Sequence, residues 1–111
     1  MSAWPTDLIP AGAPGWEQKA SAWLLDRCPS EFRTYEIFRT HPTALGYVAI
    51  FQLEHQVEAI RDAYRSARTT SQLAPVPLAE LLSTLEHEGA RLALELSSAI
   101  AVIDALNASK S

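Results

Sequence analysis

The chain has 111 residues, of which 48% are hydrophobic and 20% charged, a composition that fits one small globular domain and is too apolar for a disordered segment. Nine Lys and Arg against thirteen Asp and Glu leave a net charge of −4, so the basic surplus of a duplex-binding protein is missing and nucleic acid is not an expected partner. The single cysteine, Cys28, excludes an intrachain disulfide, and a reducing cytoplasm is the simplest setting. The longest near-apolar run, Ala44 to Phe51, falls far short of the roughly 20 residues of a membrane-spanning helix, so no membrane is expected as a partner. The first fifteen residues carry neither the basic nor the apolar region of a signal peptide.

Residues 1–15 hold Pro5, Pro10 and Pro14 with Gly12 and Gly15, a density of breakers that predicts an extended, proline-rich arm. Trp4, Leu8 and Ile9 are placed to pin that arm onto the body. From Trp16 the stripe Trp16, Ala20, Trp23, Leu24 predicts a helix over 16–28, stopped by Pro29. Ser30 as N-cap and Glu31 in the first turn predict a short helix over 31–39 that carries Phe32, Tyr35 and Phe38. Pro42 suits the first turn of a long helix over 42–70. The link Leu73-Ala74-Pro75-Val76-Pro77 has two prolines that a helix interior does not carry, and a second long helix follows over 77–108.

The two long helices specify their own pairing. Gly46, Ile50, Leu53, Val57, Ile60, Tyr64 and Ala67 recur at alternating spacings of four and three, and so do Leu82, Leu85, Gly89, Leu92, Leu96, Ala99 and Ile103. Both are heptad seams. Folded at the proline link, they pair at a constant index sum: Tyr64 with Leu85, Ile60 with Gly89, Val57 with Leu92, Leu53 with Leu96, Ile50 with Ala99, Gly46 with Ile103. Each glycine faces an isoleucine, the large-against-small layering of interdigitated helices. The same register places Arg61 beside Glu86. The end far from the link is apolar on several faces, so the core is expected to be thickest there, under the 16–28 helix. The expected fold is all-α: residues 16–111 form a single domain, a long antiparallel helical hairpin covered at its open end by the shorter N-terminal helix. Two copies would make a four-helix-like bundle.

Several groups of residues suggest chemistry. Cys28-Pro29 is a dipeptide able to ligate regulatory haem through the thiolate, with His41 as second axial ligand and Tyr35 and Tyr47 near the same end. The same pair could act as nucleophile and base. A proline that merely stops a helix explains the dipeptide equally, and no cofactor is called for by any longer motif. His55, Glu58 and Asp62 share a helix face that the register brings close to His87, either a divalent-metal set or a solvated polar face. Arg61, Arg65 and Arg68 form a basic stripe suited to phosphate or an acidic partner, or to the helix dipole and pairing with Glu86 and Glu88. The residues expected to face a protein partner are Trp4, Tyr47, Val48, Phe51, Ile100 and Val102.

The stretch Ala22-Trp23-Leu24-Leu25-Asp26-Arg27-Cys28-Pro29, with Phe32-Arg33, Tyr35 and Arg39-x-His41-Pro42, resembles uncharacterised small α-helical proteins of actinobacteria. The resemblance covers roughly residues 14–68 and implies a bacterial, cytoplasmic setting without supplying an activity. The expected function is a non-enzymatic helical interaction or regulatory module that self-associates as a homodimer or takes a protein partner. The alternative is a regulatory protein binding haem or another small molecule in a pocket at the open end.

Overall fold

In the computed structural model, which describes residues 3–70 and 72–109, the chain forms α1 over Trp16–Leu25, a 3-10 turn over Ser30–Thr34, α2 over Glu36–Thr40, α3 over Pro42–Thr70 and α4 over Pro75–Ser109. The ends of the predicted arm and domain, residues 1–2 and 110–111, lie outside the described residues. No strand is present among the described residues. The architecture is the expected antiparallel hairpin of α3 and α4, with α1 packed across both and α2 against α3. Its longest dimension, 53 Å, is close to the ~52 Å that the 35 residues of α4 span at 1.5 Å each. The radius of gyration, 17.0 Å, exceeds the ~13 Å of a compact chain of this size, so much of the hairpin projects beyond its cover.

α3 starts and stops as predicted. Pro42 stands at its first position, and the His41 carbonyl accepts from the Ala44 and Leu45 amides. The other elements depart from expectation, each for a local reason. α1 ends at Leu25, not residue 28, because the chain tightens into i→i+3 turns: the Arg27 amide donates to Leu24 and the Cys28 amide to Leu25. The predicted 31–39 helix is broken at Tyr35, which is extended at φ −89°, ψ 119°. Six residues apart on an unbroken helix, Phe32 and Phe38 would sit ~9 Å apart along the axis and point in different directions. The break instead stacks their rings at 5.1 Å and 11°, with Tyr35 edge-on to both. α4 starts two residues early, at Pro75. Pro75 and Pro77 both lie in its first turn, where a backbone N–H has no intrahelical acceptor to lose, and the Leu78 amide makes the first bond, to Ala74.

The N-terminal arm is not extended. Turns close at Leu8→Pro5, Ala13→Pro10 and Trp16→Ala13, and Gly12 and Gly15 supply the positive φ angles (92° and 76°) within the second and third of them. Pro5 and Leu8 are buried, and Ser98 Oγ on α4 donates to the Ala3 carbonyl at 2.6 Å.

The predicted register holds along the hairpin. Thr43 Oγ1 meets Asn107 at the open end (3.1 Å) and the Tyr64 hydroxyl donates to Glu86 near the link (2.8 Å). The two glycines, however, are not equivalent. A Cβ on Gly46 would lie 3.1 Å from three side-chain atoms of buried Ile103, whereas one on Gly89 would meet only Ile60 Cγ2, at an ordinary 3.6 Å. Close approach therefore explains Gly46 alone. Arg61 does not reach Glu86: it pairs with Glu58 on its own helix at 2.7 Å, and Glu86 is taken by Tyr64.

The core is thickest at the open end, where Leu8, Trp16, Ala20, Trp23, Leu24 and Cys28 close over Leu45, Ala49 and Leu53 from α3 and Ala99, Val102 and Leu106 from α4. Beyond Val57 and Leu92, only Ala67 is buried among the described residues. Gly46→Ala should therefore lower stability by about 1 kcal/mol or more, the overpacking against Ile103 outweighing a propensity gain of about 1 kcal/mol. Gly89→Ala should keep that gain and raise stability by up to about 1 kcal/mol. Urea denaturation of the two variants measures both; a stabilised Gly46→Ala would mean that Ile103 is free to swing aside.

Candidate functional site

α1 lies across one face of the hairpin and is locked there by Arg27. Its guanidinium sits 3.9 Å over the Trp23 ring, donates to the Trp23 carbonyl at 3.1 Å and pairs with Glu95 on α4 at 3.3 Å. Arg91 joins Glu95 at 3.7 Å and bonds Glu88, which holds the Glu88 carboxyl below and the Arg91 guanidinium above its ordinary pKa. On this side lie two cavities of about 330 and 470 Å³ lined by Arg27, Arg91 and Glu95, whose charges are paired within the fold.

The hairpin's other side is open. Between α3 and α4, toward the link, runs a groove of about 540 Å³. Val57, Ile60, Leu85, Gly89, Ala90 and Ala93 make its apolar floor and walls. Arg61, Arg65 and Arg68 line it too, beside Tyr64 and Glu86. Arg61 and Arg65 each pair with the acid three residues earlier, Glu58 and Asp62 (2.7 and 3.2 Å), while Arg68 leans over the Tyr64 ring at 5.9 Å. The hydrogen bond to Glu86 pushes the Tyr64 hydroxyl pKa up. The basic stripe is therefore balanced by its own helix rather than by Glu86 and Glu88. In volume the groove is in the range of small-ligand sites, and in shape it is an open trough.

Of the residues expected to face a partner, Tyr47, Phe51 and Ile100 are 69%, 59% and 41% exposed. Val102 is a correction: it is fully buried, because its flank of α4 is the one α1 covers. Val48 is half-buried against the core. Trp4 is also turned inward, its ring 6.0 Å from Trp16 and its indole N–H donated to the Ile9 carbonyl. The exposed apolar surface extends to residues not foreseen, among them Leu94 on α4 and Ile37 on α2. Their signal was present in α4, whose leucines and alanines occupy positions on every side of the helix.

Cys28 is buried in the core and His41 is exposed, and neither lines the groove, the open-end cavity between α1 and Pro42, or the shallow hollow beside Tyr47 and Phe51. The groove toward the link has about 540 Å³, and the open end, where the alternative reading placed its pocket, holds a cavity of about 350 Å³ lined by Glu17, Leu25, Arg39 and Pro42. Burial pushes the Cys28 thiol pKa above its ordinary 9.0, with Arg33 opposing weakly, so the nucleophilic thiolate is disfavoured. His55, Glu58, Asp62 and His87 are largely solvent-facing, and no group of three or more His, Cys, Asp or Glu able to hold a metal occurs among the described residues.

No protein-family profile, curated protein or solved structure matches the chain.

The raised Cys28 pKa has a thermodynamic sign. The folded state prefers the neutral thiol, so this contribution to stability is full below pH 9.0 and is lost as pH rises through the folded-state value. Between about pH 8 and pH 10.5 the parent should therefore lose more stability in urea titrations than Cys28→Ala, and its thiol should alkylate slowly at neutral pH. Fast neutral-pH alkylation would contradict the buried placement.

Proposed function

We propose that this chain is a non-enzymatic helical interaction module that self-associates through the apolar surface its N-terminal segments leave uncovered. One observation supports this reading above the others. α4 contains an 18-residue window of mean hydropathy 1.4, and only 33% of that window is buried within the chain. A helix so apolar normally has cover on most sides, and here Leu94 and Ile100 on α4, with Tyr47 and Phe51 on α3, stand in water. Two-fold pairing is the commonest way for one chain to close such a surface.

The groove supports a second reading, a small anionic ligand held by its apolar walls and arginines. That reading moves the regulatory pocket from the open end to the link end of the hairpin. It carries less weight because a trough this open covers little of a small ligand's surface.

The bacterial cytoplasmic setting implied by the resemblance belongs to the same proposal. By length and composition α4 is also apolar enough to cross a membrane, although here it packs along α3. Cell fractionation should find the protein in the soluble fraction; recovery with carbonate-washed membranes would reject that setting.

Light scattering coupled to size exclusion should give twice the single-chain mass at tens of micromolar. Tyr47→Ser with Phe51→Ser should raise the dimer dissociation constant by about tenfold or more, the loss expected when about 1.4 kcal/mol or more of apolar burial is removed. A parent monomer that binds no apolar dye would overturn the proposal, and a monomer that binds dye would transfer the surface to a hetero-partner.

A further inference from the structure

α3 carries a second heptad stripe, one residue beyond its seam: Tyr47, Phe51, Glu54, Glu58, Arg61, Arg65 and Arg68, every one exposed. Its chemistry is ordered along the helix. Two aromatics come first, then two acids, then three bases. Set parallel to a second copy in register, this stripe places like charges opposite one another. Set antiparallel, it complements itself: Glu58 faces Arg61 of the second copy, Glu54 faces Arg65, and Phe51 faces Arg68, each contact made twice about a two-fold axis between residues 59 and 60.

We infer that a second copy of this chain docks antiparallel along this α3 stripe, the Phe51 of each copy seating at the Tyr64–Arg68 end of the other's groove. The inference rests on the self-association reading and specifies its geometry. Three features of the fold fit it. The groove lies beside the stripe and is lined by Arg61, Arg65 and Arg68 themselves, so an antiparallel α3 brings Glu54 and Glu58 to a basic wall. Gly89, Ala90 and Ala93 form the adjacent wall, and the packing against Ile60 would admit a Cβ at Gly89, so this glycine serves to keep the groove open. α1 lies on the opposite side of the hairpin, around Gln56, Arg91 and Glu95, and leaves the docking face clear.

The pairs of Arg61 with Glu58 and Arg65 with Asp62 within one chain do not oppose docking. They are exposed on-helix pairs of little worth, and the dimer exchanges them for pairs of the same kind in a drier setting. Arg68, already over the Tyr64 ring, gains the Phe51 face of the second copy as a further cation–π partner.

Charge reversal tests the arrangement. Arg61→Glu with Arg65→Glu makes the middle of the stripe wholly acidic, and Glu54→Arg with Glu58→Arg makes it wholly basic. Each variant alone is expected to run at half the parent's mass in light scattering with unchanged helical circular dichroism, and an equimolar mixture is expected to recover the parent's mass. Variants that dimerise alone as the parent does, or that stay monomeric when mixed, overturn the docking geometry while leaving self-association through another surface intact. A monomeric parent overturns both. Should a charge variant lose helicity, Glu58→Cys and Arg61→Cys chains, each in a Cys28→Ala background, replace it. Oxidising their mixture should give the mixed disulfide in at least severalfold excess over either chain's own, and equal yields reject the register.

Discussion

The contact on which the rest depends is the one between Gly46 and Ile103. Near the open end of the hairpin, a residue without a side chain lets α3 and α4 come close enough for Ile103 to lie on bare backbone. A slip of one heptad in one direction would put Ile103 against Leu53, a large side chain where the gap had been, and in the other it would carry Ile103 past the start of α3, with no α3 residue opposite. The hydrogen bonds Thr43–Asn107 and Tyr64–Glu86 would be lost together. The register is thus set sterically at one end and only decorated by polar contacts. α1 can then read it, because Arg27 meets Glu95 only when Leu53 and Gln56 stand beside it on α3.

From this register follows a division of the molecule along its length. α1 has ten residues and spans ~15 Å, against more than 40 Å for either long helix. At the open end, side chains from the N-terminal segments and both long helices converge and the interior is dry. Toward the link the same seam is two helices thick, and Ile60, Tyr64, Leu82 and Leu85 are only partly buried there. Local opening should therefore begin at the link and travel toward the covered end, the usual pattern where apolar contacts thin out. The surface that supports an interaction role lies mainly on the hairpin face that α1 does not cover.

The hairpin was legible in the sequence because heptad spacing survives without knowledge of anything else: a seam of α3 and a seam of α4 determine each other once the prolines mark the reversal. What packs on a seam's flanks is not periodic information. The pattern put Val102 beside the seam but could not say that α1 covers that side, so a fully buried residue read as a partner contact. Tyr35 was hidden differently. Phe32, Tyr35 and Phe38 at intervals of three look helical, and only ring stacking across a break explains the interruption. Both glycines faced isoleucine in the pattern, yet only the position of each isoleucine side chain separates a required gap from a tolerated one. Prolines in the arm ruled out a helix there without ruling out the turns that fold it back. The candidate groove was the least legible feature, because one wall of it, Gly89, Ala90 and Ala93, matters for what it leaves empty.

The bond from Ser98 to the Ala3 carbonyl joins residues 95 positions apart, and the tryptophans of the N-terminal segments close on α4 nearby. During synthesis the arm and α1 emerge before the surface that buries them. Trp16, Trp23 and Leu24 therefore have no complete partner until residues near Leu92 to Leu106 have been added, and a helix of ten residues is marginal alone. The hairpin, by contrast, needs only its own neighbouring halves. The arm and α1 can therefore close fully only once both long helices are present to receive them. The long wait of an apolar N-terminus, rather than any step in the hairpin, is where this chain is most exposed to aggregation or in need of a chaperone.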